Sequence, residues 1–269
     1  MAKSLGRPDV LLRPDEVRQQ YSSALGTLFE RVRTQAVSGD IATEWLKALA
    51  TFYEGHVRWA VLSPSGTVQS MESGQQVLAW FVAISPHHPR ARQQRQVLQT
   101  DWMNSHYGLF VRPERVTHEW AAILATHELE HLASMAGGLE TRHQSRDPYL
   151  DGEVRAYSVE GVAADVLCEG RYLKALEKVI EENGFTTTDA IAKLNGSREL
   201  DGITRRLDGI ITPHQAASAG ESRLRGGLHI MALAFVLINQ QFADWDRRLE
   251  GRKRYIEQLY EPLGVLPPR

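Results

Sequence analysis

Apolar positions recur at helical spacing along most of this chain. Val17, Tyr21, Leu25, Leu28 and Val32 follow Pro14-Asp15-Glu16, a helix start, and predict a first helix. A second is predicted from about Asp40, as N-cap, to Trp59, with Trp45, Leu49, Phe52 and Val57 inward. The turn Ser63-Pro64-Ser65-Gly66 precedes a predicted helix from about Ser73 to Ile84. Tyr107 to Arg112 is the best strand candidate, closed by Pro113. The next helix should run from Thr117 to Ala136 and stop at Gly137-Gly138. Asp147-Pro148 reads as the start of another, reaching Glu182 and stopped by Asn183-Gly184. After a Gly- and Thr-rich region, two last helices are expected, Leu228 to Trp245 and Asp246 to Tyr260.

With 269 residues the chain can bury a sizeable core and sits near the upper limit for one domain. We expect one compact unit: an N-terminal helical region over 1–100, a central core over 101–185 and a C-terminal helical region over 186–269. A net charge of −2 gives no electrostatic footprint for nucleic acid or an anionic membrane. The single cysteine, Cys168, excludes an intramolecular disulfide framework. Met1 to Leu12 lacks the apolar core of a signal peptide, and the run from Leu228 to Ile238 is too short to span a bilayer. A cytoplasmic protein is the expectation.

One pentapeptide changes this picture. His127-Glu128-Leu129-Glu130-His131 is an H-E-x-x-H inside a predicted helix. At 3.6 residues per turn the two histidines fall on one face, where two neutral imidazoles can bind one zinc ion. Glu128 can then reach the water that the ion activates. Glu119, Thr126 and Glu130 form a narrow polar stripe, and most of the remaining circumference is apolar, so the helix should be largely buried. His127, Glu128 and His131 fall outside the stripe, and ionisable groups there need partners.

From Tyr107 to Glu182 the chain resembles the zincin metallopeptidases, and within them the gluzincins. The resemblance implies an α+β, predominantly α-helical fold: a zincin-like core with a small sheet, an H-E-x-x-H helix and a following helix that carries a third ligand. It implies Zn2+ held by His127 and His131, with Glu128 as general base. Ser134 and Gly137 stand where the metzincin pattern needs Gly and His, so that subclass is excluded. Two glutamates compete as third ligand. Glu153, in Glu153-Val154-Arg155-Ala156-Tyr157, looks like the Glu-x-x-Ala segment of small gluzincins, and Glu160 is the alternative. Thermolysin-like enzymes place an Asp four residues beyond the ligand Glu to orient a histidine. Tyr157 or Ala164 stands there, and Asp165 is one residue out of register, so the orienting carboxylate is unassigned.

The implied function is zinc-dependent hydrolysis of peptide bonds in a peptide or protein substrate, with no nucleic-acid or membrane partner. Tyr157, Tyr149, His143 and His214 are candidates for the oxyanion donor, and the strand Tyr107 to Arg112 could pair edge-on with an extended peptide. Two other classes compete. Glu128-x-x-His131 and Glu140-x-x-His143 are also the paired motifs of di-iron carboxylate bundles, although Gly137-Gly138 sets them close together. A non-catalytic zinc-containing binding module is the second.

Overall fold

The computed structural model describes residues 15–34, 41–61, 79–82, 107–111, 117–136, 145–212, 219–264 and 266–267. In chain order it contains α1 (Asp15–Thr34), α2 (Ile41–His56), β1 (Val57–Val61), β2 (Ala79–Val82), β3 (Tyr107–Val111), α3 (His118–Ala136) and α4 (Arg146–Leu167). These are followed by α5 (Arg171–Asn183), α6 (Thr188–Ala192), α7 (Arg198–Ile211), α8 (Ala219–Gln241), α9 (Trp245–Tyr260) and a closing 3-10 turn, Glu261–Leu263.

The H-E-x-x-H helix, α3, packs chiefly on α4 and α1, with α2 beside them. Trp120, Ala121, Ala122, Ile123, Ala125, Leu129 and Leu132 of α3 join Leu25, Leu28, Leu46, Leu49, Val154 and Val159 in one buried cluster. Burial of a large aliphatic side chain is worth about 1.5–3 kcal/mol, so this helix is held by its flanks. The same cluster includes most of α8 from Leu228 to Ile238, the core helix that its apolar run implied. Among the described residues no helix is long and apolar enough to cross a membrane.

The fold class expected from the resemblance is corrected. The body that carries the site is helix on helix, and a zincin-like α+β core is not shown. Its strands are backbone pairings of four or five residues in the order β1-β3-β2. The second helix ends at His56 rather than Trp59, and residues 79–82 of the expected helix Ser73 to Ile84 are extended. In both places β-branched and aromatic residues (Val57, Trp59, Val61; Trp80, Phe81, Val82) favour an extended backbone over the helical period. Because β3 pairs parallel with β1 and antiparallel with β2, both its edges are taken, and the edge-pairing role expected for Tyr107 to Arg112 falls away.

The long helix expected to reach Glu182 is two helices. Glu169 (φ 55°) and Gly170 (φ 75°) adopt left-handed backbone, which turns the chain between α4 and α5. Asp165 stabilises the restart by accepting from the Leu173 N–H at 2.9 Å. Cys168 lies buried in this turn, where burial pushes its thiol up to about 11, so it is no nucleophile at neutral pH. Gly184 (φ 63°) ends α5 as its sequence position implied. The Gly- and Thr-rich region beyond holds α6 and α7. Thr187, Ser197 and Asp244 cap α6, α7 and α9 by accepting backbone N–H bonds.

Candidate metal centre

Helix α3 presents two unlike faces. Only the start of its polar stripe meets solvent: Glu119 is exposed, whereas Thr126 is fully buried and bonds back to the Ile123 carbonyl, and Glu130 is 7 % exposed. Glu130 Oε1 accepts from Arg155 Nε at 2.9 Å and from Ser134 Oγ at 3.1 Å, which fastens α3 to α4. The face carrying His127, Glu128 and His131 is the part-exposed one. The helical period separated these two sets of residues, but it could not say which set faced inward, because a buried carboxylate needs a partner that lies 25 residues away.

The two imidazoles point their Nε2 atoms at each other, 3.3 Å apart. His131 Nε2 lies 3.7 Å from Glu153 Oε1, and His127 Nε2 lies 3.9 Å from Glu153 Oε2. His127, His131 and Glu153 are the one group among the described residues whose ligand atoms could jointly hold a metal ion, all within 4.8 Å of one another. A tetrahedral ion with bonds of about 2.0–2.2 Å needs donor atoms about 3.3–3.6 Å apart, a spacing the two histidine nitrogens meet, while one Glu153 oxygen lies within 4.8 Å of both. The chemistry fits as well. Two imidazole lone pairs facing each other across 3.3 Å require either a shared proton or a cation between them.

Glu160 plays the other part. One helical repeat beyond Glu153 on the same face of α4, it reaches the far side of the His127 ring, with Oε2 3.0 Å from Nδ1. An Nδ1–H donating to this carboxylate fixes the tautomer and leaves the Nε2 lone pair for the ion. A carboxylate at the Nδ1 of His127 thus stands seven residues beyond Glu153, rather than the four of the thermolysin pattern. Opposing the effect of burial, the Glu160 hydrogen bond and charge, with Glu153 and Glu128 behind them, hold the His127 imidazolium up to about 9. Burial raises the proton affinity of Glu128, and the charges of His127 and His131 lower it.

Two tyrosines complete the wall. The Tyr157 ring stands edge-on to His127, with centroids 4.5 Å apart. Its hydroxyl bonds the hydroxyl of Tyr260, the last residue of α9, and Tyr260 donates to Glu153 Oε2 at 3.2 Å. Tyr260 was not legible in the sequence: it lies 107 residues from Glu153, with no motif around it. Tyr149 is half-buried against the core, whereas His143 and His214 lie outside the described residues. So does Glu140-x-x-His143, the second half of the di-iron pattern. No protein-family model, curated protein or solved structure matches this chain.

Proposed function

We propose that the chain is a zinc-dependent peptidase in which His127, His131 and Glu153 hold the ion, Glu160 orients His127, and Glu128 is the general base. The observation that carries this reading is the convergence of both Nε2 atoms and the Glu153 carboxylate within 4.8 Å, beside a glutamate that is not needed as a ligand. Three protein ligands leave a tetrahedral ion one open position, the arrangement of catalytic rather than structural zinc. When bound, zinc supplies a Lewis acid that polarises a carbonyl and lowers the pKa of water from 15.7 to about 7.

The protein's own residues do the rest. Glu128 follows His127 directly on α3, and its carboxylate interacts electrostatically with His127, His131 and Glu153. It takes the proton of the attacking water and returns it to the departing amine. The Glu130–Arg155–Ser134 cluster keeps α3 and α4 in register, so that ligands from two helices meet at one point.

Purified protein is expected to carry about one zinc per chain and to cleave a peptide library in a chelator-sensitive way. His131→Ala should lose both. Stoichiometric zinc retained by His131→Ala, measured by elemental analysis, would sink the assignment. Zinc bound without any cleavage would favour a non-catalytic zinc module.

The two glutamates should also separate in a titration. Glu153→Gln removes a ligand and is expected to abolish tight binding, whereas Glu160→Gln should weaken it by about 10–100-fold, as loss of an orienting carboxylate does. The ion must displace the proton that His127 holds to about 9, so affinity should rise with pH from neutral towards that value. The rise should be shallower in Glu160→Gln, whose His127 releases its proton earlier. Equal affinities for the two variants would reverse or erase the assigned roles.

A further inference from the structure

We infer that Tyr260 is a positioning residue for the metal centre: its hydroxyl anchors one oxygen of Glu153 so that the other is presented to the histidines. This rests on the ligand set proposed above. A phenol carries one proton. Tyr260 donates its proton to Glu153 Oε2, so in the contact between the two tyrosine hydroxyls the donor is Tyr157. The result is an ordered chain, Tyr157 O–H to Tyr260 to Glu153, that runs from the edge of the His127 ring to the third ligand. In this arrangement the Tyr157 proton is directed at Tyr260.

The carboxylate needs such an anchor. Glu153 is 6 % exposed, so water does little to fix its torsion. With Oε2 held by Tyr260, Oε1 is the oxygen that faces His131 Nε2 at 3.7 Å. Contacts on both sides of Tyr260 make the anchor stiff. Arg146, at the start of α4, bonds Glu257 at 2.8 Å, lies 3.7 Å from Glu261 and bonds the Pro267 carbonyl at 3.3 Å. Lys253 pairs with Asp151 one helical segment earlier. The C-terminal helix is thus docked along the ligand-bearing helix, and its last residue reaches the ligand itself.

Competition with a chromophoric chelator for Zn2+, together with the absorption spectrum of the cobalt(II)-loaded protein, tests this on the full chain. Tyr260→Phe keeps the ring and removes the donor; it is expected to bind zinc about tenfold more weakly and to shift the cobalt(II) spectrum. Tyr157→Phe leaves the Tyr260 bond to Glu153 in place and removes only its outer support, so it should weaken zinc binding less than Tyr260→Phe does. Unchanged affinity and spectrum in Tyr260→Phe overturn the inference, and so does equal weakening in both variants, which would mark a general packing effect. A wild-type protein that binds no zinc would instead overturn the metal centre on which the inference stands.

Discussion

Glu128→Gln is expected to retain stoichiometric zinc and to lose hydrolysis by about 10²–10⁴-fold, the usual contribution of a general base. Glutamine has the shape of glutamate and can still hydrogen-bond water, but it cannot accept the proton. The residue is well placed for this test because the converging ligand atoms come from His127, His131 and Glu153 and not from it. Its surroundings set the pH dependence. Burial disfavours the charged carboxylate and the nearby histidines favour it, with the net proton affinity raised. In the zinc-free protein the basic form is therefore reached at a higher pH than an exposed glutamate needs. Rates of peptide cleavage with zinc content measured on the same samples decide the matter. Full turnover by the variant would remove Glu128 from the mechanism, and loss of zinc would show it to be a ligand.

The helices that bear the site were legible because the information is local. His127 and His131 share a face by period alone, and Gly184 ends α5 by its backbone freedom. The choice between Glu153 and Glu160 was not local. Both lie on one face of α4, and only the packing of α3 against it puts the first carboxylate at the Nε2 side of His127 and the second at Nδ1. The fold class was misread for a related reason. A short motif fixes one helix and its near neighbours, whereas the elements that support it depend on which apolar faces meet, and here α1, α2 and α4 cover the flanks of α3. The break at Glu169-Gly170 escaped the periodicity because the apolar spacing continues through it into Tyr172, Leu176 and Val179.

Beside the proposed metal centre lies a second buried polar group, and Asp208→Ala there is expected to cost about 3–5 kcal/mol of folding stability, the range for removing one partner of a buried charged pair. Asp208, on α7, receives His229 Nε2 at Oδ1 (2.9 Å) and Arg225 Nη1 at Oδ2 (3.2 Å), both from α8. Tyr172 of α5 bonds His229 Nδ1 at 2.8 Å. Both His229 nitrogens are satisfied if the ring is neutral: Nε2–H donates to Asp208 and Nδ1 accepts from the tyrosine. Burial lowers the His229 proton affinity more than Asp208 restores it, which agrees with that tautomer. The sign for stability follows. The unfolded chain takes up a proton at His229 near pH 6.5 and the fold only at lower pH, so this contribution is complete above 6.5 and is lost as the pH falls below it. Asp208→Ala removes the acceptor shared by His229, fully buried, and Arg225, 1 % exposed. The consequence reaches α3, because Arg225 stacks over Trp120 at 4.9 Å and the His229 ring meets the same indole edge-on. Trp120 lies two helical turns before His127, so the network braces the helix that carries both histidines. Denaturant unfolding of the zinc-free protein at pH 7.5 measures the loss without interference from the ion. A change below about 1 kcal/mol, typical of a surface pair, would mean that the buried charges are compensated elsewhere.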